Sequence, residues 1–127
     1  MAVLLIDDNP AVFRLISHLA QMTGSPHFTL LHAETVEDGL DMLAARRFDV
    51  VLLDNRVPPH DRFEVPLDLI RRVCDVPVVL LTGTDLESLG YDDVPDVLNG
   101  YLSKNDLSPG RISDVLSPYL GVSANKR

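Results

Sequence analysis

Residues 1–10 read MAVLLIDDNP. An unbroken apolar run, Val3 to Ile6, meets two adjacent acids, Asp7 and Asp8, and then Asn9-Pro10. Four apolar residues closed by polar ones read as a strand buried on both faces. Pro10 suits the first turn of a helix, where a missing N–H costs nothing. The chain therefore leaves a buried strand through two like charges. Such a pair repels, so water or a cation must hold it at the end of the strand.

The same grammar recurs along the chain. Apolar runs return as VVLL at 50–53 and VVLL at 78–81, with a shorter one at Tyr101-Leu102 and a plausible strand over 28–33. Between them the apolar period becomes helical. Val12, Leu15, Ile16 and Leu19 share one face over 10–22. Thr35-Val36-Glu37-Asp38 forms a capping box, followed by Leu40 and Leu43. Leu69, Ile70 and Val73 mark a helix over 67–73, and Ser108-Pro109 opens a last one carrying Ile112, Val115, Leu116 and Tyr119. Strands apolar on both faces, alternating with amphipathic helices, predict five βα units in a doubly wound α/β domain with a parallel sheet. Ligands of such sheets bind beyond the carboxyl ends of the strands, at the topological switch point.

Composition removes several function classes. The 127 residues suit one domain with its own core, and 46% hydrophobic content argues against disorder. No run approaches the ~20 apolar residues of a membrane span. No basic residue precedes the first apolar run, unlike a secretory signal. Cys74 stands alone, so no internal disulfide can form, and a reducing, cytoplasmic setting is expected. A formal charge of -8 opposes direct binding to nucleic acid or to an anionic membrane. His18, His27, His32 and His60 lack metal-ligand spacing and read as structural or exposed. Residues 123–127 read as a frayed tail.

The residues just past each apolar run carry the chemistry. They are Asp7 and Asp8, then Asp54, then Thr82 and Gly83, then Lys104. On one sheet edge these place three carboxylates, a hydroxyl and an ammonium together. Oxygen-only donors suit a hard cation such as Mg²⁺, which takes one or two carboxylates and keeps several waters. Of the eleven Lys and Arg residues only Lys104 and Lys126 are lysine. A lone lysine beside the core fits a place that needs a compact ammonium rather than a guanidinium fork.

The stretches LLIDDNP, VVLLDNRVP, VVLLTG and GYLSK, in this order, resemble a response-regulator receiver domain, the phosphoacceptor module of two-component signalling. The resemblance covers residues 1–122, leaving 123–127 as a C-terminal tail. It implies a flavodoxin-like five-stranded parallel sheet of order 2-1-3-4-5 with helices on both faces. It also implies phosphoryl transfer to Asp54 from a histidine kinase or a histidine phosphotransfer protein. Asp8, Asp54 and the Arg56 backbone carbonyl would hold Mg²⁺, with Asp7 acting through a metal-bound water. Lys104, Thr82 and Gly83 would meet the phosphoryl group, and Tyr101 matches the family's aromatic switch position. The implied protein is a signalling phosphoacceptor, not an enzyme beyond its own phosphorylation and dephosphorylation. It would act on an unknown downstream protein, either alone or as a piece of a longer chain.

Three departures from the family set further expectations. Asn105 replaces the usual proline after the lysine, which predicts a trans Lys104–Asn105 bond, since cis without proline costs roughly 2.5–4 kcal/mol. The loop VPPHDRFEVP has Arg62 after Asp61 where the family has glycine. In LESLGYDDVPDVLNG, Gly90 and Pro95 oppose a continuous helix. That stretch predicts a short helix over 85–90 and then a mobile acidic loop. A monomer or weak dimer would follow, with partner recognition shifted toward the loops around Asp54. Plainer readings remain at this stage: a solvated Asp turn with Asn9 or Asp8 capping a helix, Asp54 as a surface acid, Thr82 as a turn residue, and Tyr101 as a core ring. Two other functions remain as well. One is a receiver-like docking module that works without phosphorylation. The other is a Mg²⁺-dependent phosphatase with Asp54 as nucleophile, disfavoured because Arg56 stands where such enzymes carry a second acid.

Overall fold

Three strands are buried along their whole length: β1 (Ala2–Ile6), β3 (Val50–Asp54) and β4 (Val78–Thr82). Two partly exposed strands flank them, β2 (Thr29–Ala33) and β5 (Gly100–Ser103). The computed structural model describes residues 1–22 and 28–120. All strand pairs are parallel, in the order 2-1-3-4-5. This is the expected order. The chain changes direction across the sheet at β1, which lies between β2 and β3, so a crevice opens at the carboxyl ends of β1 and β3.

Strand alternation divides the core in two. Val3, Leu5, Val50, Leu52, Val79, Leu81 and Leu102 face α1 (Pro10–Gln21) and α4 (Pro109–Leu116). Leu4, Ile6, Val51, Leu53, Val78 and Leu80 face α2 (Val36–Ala45) and α3 (Glu64–Val73). Helix starts are written locally. Asn9, Thr35 and Ser108 accept hydrogen bonds from Ala11, Asp38 and Arg111 backbone N–H groups, and Pro10 and Pro109 open α1 and α4. α3 has no capping side chain; it starts at Glu64, earlier than its apolar period predicts, and tolerates Pro66 in the first turn, where N–H groups lack helical partners anyway. Tyr119, expected on the last helix, lies in a 3₁₀ turn just beyond it. The expected tail at 123–127 and His27 lie outside the described residues.

The fold departs from a fivefold βα repeat between β4 and β5. The short helix expected over 85–90 is a single hydrogen-bonded turn. Asp85 accepts from Ser88 N–H, Leu89 N–H reaches Leu86 O, and Gly90 ends the turn at φ +95°, a backbone region open to glycine. Pro95 prevents a restart. The rest is irregular, as expected, and it is packed at several points. Leu89 and Leu98 are buried, and Leu86, Tyr91 and Val94 pack against the α2/α3 side of the core.

Gly39 shows how closely α2 sits on the sheet. A β-carbon there would stand 2.6 Å from Ile6 Cδ1, and Ile6 is fully buried. Gly39→Val should therefore destabilise the protein by about 2 kcal/mol or more in urea unfolding, through overpacking. Gly110→Ala, in open space on α4, should be neutral or slightly stabilising. Equal stability of the two variants would contradict this packing.

Candidate functional site

Register brings the predicted residues together. Ile6 pairs with Leu53, so Asp7 and Asp54 follow one another on neighbouring strands. Asp54 pairs with Leu81, which puts Thr82 next on β4, and Thr82 pairs with Ser103, which puts Lys104 next after β5. Asp7, Asp54 and Thr82 are buried while Asp8 is exposed. Asn9 caps α1 and accepts from Ala11 N–H at 2.9 Å, so Asp8 is not consumed as the cap. Asp7 Oδ1 accepts from Asn9 N–H at 2.9 Å, which fixes the turn that presents both acids.

Lys104 is the cation of the cluster. Its Nζ stands 2.9 Å from Asp7 Oδ2 and 3.1 Å from Asp54 Oδ1, with a quarter of its side chain exposed. The Lys104 ammonium is the charged partner of Asp7 Oδ2, an oxygen buried away from solvent. Burial pushes the Asp54 carboxyl above its ordinary value and Asp7 adds to the shift; Lys104 and the Arg56 backbone N–H pull the other way without cancelling it. Burial opposes the charge on Lys104, but the two carboxylates outweigh it and hold the ammonium pKa above its usual value.

The loops past β4 and β5 complete the edge. Thr82 Oγ1 accepts from Thr84 N–H at 3.0 Å, which leaves its own proton free to donate. The Gly83 carbonyl accepts from Asn105 Nδ2 at 3.0 Å. The residue in place of the family's proline thus ties the lysine loop to the Thr82 loop. The Lys104–Asn105 bond is trans, as expected. Tyr101 packs on the α2/α3 side and its hydroxyl donates to Thr84 O at 3.2 Å, so the ring is joined to the Thr82 loop and is not only core filling. Arg56 is exposed, and a cleft of about 320 Å³ runs from Asp8 past Arg56, Pro58, Pro59, His60 and Asp61.

Sequence reading missed Asn55. It is 3% exposed, and its Oδ1 accepts from Phe63 N–H at 3.2 Å, closing the loop after Asp54. The only sequence signal was an amide following the acid of a buried strand. Nor was the asparagine at 105 legible as a cross-loop donor, because its partner is 22 residues away.

A hard divalent cation fits these donors. One oxygen from each of Asp7, Asp8 and Asp54 lies within 4.8 Å of the others. Three carboxylates against one ammonium leave a surplus of two negative charges, and the buried Asp7 Oδ2 shares its ammonium with Asp54. All donors are oxygen, the set preferred by Mg²⁺ and Ca²⁺.

Comparison with known proteins agrees with this geometry. Residues 3–116 match the response regulator receiver domain. Similar curated proteins include the KDP operon transcriptional regulatory protein KdpE of Escherichia coli K12, 32% identical over 102 residues that cover 80% of this chain and 44% of that protein. Another is the transcriptional regulatory protein AfsQ1 of Streptomyces coelicolor, 34% identical over 105 residues, covering 83% and 42% respectively. The chain thus spans less than half the length of either relative. A response regulator receiver domain from Clostridium thermocellum superposes with a TM-score of 0.77 at 20% identity, over 99% of this chain and 98% of that one. The receiver domain of the sensor histidine kinase PA1611 from Pseudomonas aeruginosa PAO1, solved with magnesium in its active-site cleft, gives 0.76 at 21% identity over 94% and 97%. These two structures share the fold. No helix among the described residues is long and apolar enough to cross a membrane. With its parallel sheet, its acidic edge and a family match along nearly its full length, the chain belongs to the response regulator receiver domains of two-component signalling.

Proposed function

We propose that this receiver accepts a phosphoryl group on Asp54 from a histidine kinase or histidine phosphotransfer protein, with Mg²⁺ as cofactor. The observation that carries the reading is the meeting of Asp7, Asp8 and Asp54 at the carboxyl ends of β1 and β3, with Lys104 from the end of β5 paired to Asp7 and Asp54. Asp8, Asp54 and the Arg56 carbonyl would hold the metal directly, and Asp7 would hold it through water. Mg²⁺ supplies neutralisation of charge on the transferred group. The residues supply the rest. An Asp54 carboxylate oxygen attacks phosphorus, the phosphorus–nitrogen bond to the donor imidazole breaks, and that electron pair leaves with the ring. Lys104 is placed to exchange its contact with Asp54 Oδ1 for a phosphoryl oxygen. Thr82 has a hydroxyl proton to offer, and Gly83 adds no side chain to the approach.

The product is a mixed anhydride whose phosphoryl group carries roughly -1.5 to -2 charges and three acceptor oxygens where the carboxylate carried a single charge, enough to reorganise loops that hold polar groups. The protein is then a signalling phosphoacceptor that turns over only its own acyl phosphate. We read it as cytoplasmic, as a monomer or weak dimer, and as acting on a protein target rather than on nucleic acid. The assembled pocket favours this reading over docking without phosphorylation. Arg56, exposed where a phosphatase would carry its second acid, disfavours turnover of phosphate esters.

Acetyl phosphate with Mg²⁺ should add one phosphoryl group by intact mass, and Asp54→Asn should abolish the addition. Phosphate retained by that variant would place the acceptor elsewhere. Asp8→Ala should weaken Mg²⁺ binding about tenfold or more, followed by amide chemical shifts at the strand ends. Unchanged affinity would remove Asp8 from the metal site.

A further inference from the structure

The segment between β4 and β5 is fastened to the rest of the protein at two places with different neighbours. At its far end, Arg71 of α3 donates to Val97 O at 3.2 Å and Asn99 Oδ1 at 3.1 Å, and also to Val76 O. Asn99 Oδ1 in turn accepts from Val78 N–H at 2.9 Å, at the start of β4. That end is anchored to the sheet. The near end is anchored to the loop that follows Asp54. Arg62 forks onto Glu64 at 3.0 and 2.8 Å and also donates to Leu89 O at 2.6 Å. Tyr91 O–H donates to Glu64 Oε2 at 2.8 Å. The Tyr91 ring packs on fully buried Phe63, centroids 6.0 Å apart. Phe63 N–H donates to the side chain of Asn55, the residue next to Asp54.

We propose that Arg62, Glu64 and Tyr91 form a latch through which the loop after Asp54 sets the position of the 85–97 segment. The proposal rests on the phosphoacceptor reading for its trigger but not for its wiring. Asp54, Asn55 and Phe63 are joined by covalent bonds and one buried hydrogen bond, so a displaced acceptor loop carries Phe63, Arg62 and Glu64 with it. The latch side chains are not deeply buried, with Arg62 and Glu64 44% and 40% exposed, so the ion pair can open without stranding a charge. The segment has no helix of its own to hold its shape, so its near end takes the position that the latch gives it. Coupling of this kind is reciprocal: a change at Tyr91 must be felt at Asn55.

The test uses amide NMR on the full chain, in two arms. In the first, without any phosphoryl group, Tyr91→Phe keeps the packed ring and removes the hydroxyl. It should shift the amide signals of Asn55 and Phe63 together with Leu89. Tyr119→Phe, which removes the hydroxyl donated to Asn99 O at the far end, should leave Asn55 and Phe63 unmoved. Silence at Asn55 and Phe63 in Tyr91→Phe overturns the latch. In the second arm, beryllofluoride with Mg²⁺ serves as the phosphoryl mimic. Residues 54–64 and 85–97 should respond together in the unaltered protein, and Tyr91→Phe should lose most of the 85–97 response while keeping that of 54–60. An unresponsive 85–97 segment beside a responding acceptor loop, or an undiminished response in the variant, also overturns it. If residues 54–60 ignore the mimic, the phosphoacceptor reading fails and the first arm alone decides the latch.

Discussion

Two carboxylates, Asp7 and Asp54, sit side by side at the buried edge of the sheet with one ammonium between them, and the rest of the structure is arranged around that constraint. Burying like charges is costly unless an opposite charge or a hydrogen bond compensates them. Lys104 supplies part of the compensation and the Arg56 backbone N–H supplies more, yet the Asp54 carboxyl remains shifted upward by burial and by Asp7. The ionised Asp54 carboxyl is therefore held at a cost, set first by its burial and then by Asp7. A bound dication would offset that cost directly.

The remainder of the fold keeps these groups in place. Both faces of β1, β3 and β4 are covered, so water cannot relieve the charges from below. Asn9 takes the capping duty that would otherwise draw Asp8 into α1. Asn105 ties the lysine loop to Gly83, and Asn55 closes the loop after Asp54. Three asparagines thus position the four loops that surround the charged cluster.

Much of this was legible in the sequence because it is local or periodic. Runs such as VVLL followed by Asp54 state both that a strand is buried and where it ends. Thr35, Ser108 and the two helix-opening prolines mark helix starts within four residues. The acidic edge was readable because a parallel sheet sends every strand's carboxyl end to one side. What escaped depends on distant partners. Gly90 and Pro95 oppose a regular helix across 85–96, but they do not show that Leu89 and Leu98 bury or that Arg62 and Arg71 pin the segment. Asn55 and Asn105 carry no periodicity, and their roles exist only once the loops meet.

The most direct test of this account is thermal unfolding of the unaltered protein and Asp54→Asn, with and without Mg²⁺. The Asp54 carboxyl is raised above 3.8 in the folded state, so its favourable contribution is present below that value and is lost as pH rises through the folded-state pKa. Above the folded-state pKa its ionised form is a net cost that the amide removes. Without Mg²⁺, Asp54→Asn should unfold at the higher temperature, by about 4 °C for each kcal/mol recovered. Mg²⁺ should stabilise the unaltered protein more than the variant and narrow the gap. A variant that melts at or below the unaltered protein without metal, or an equal gain from Mg²⁺ in both, would contradict the claim that the cost of a buried, ionised Asp54 governs this site.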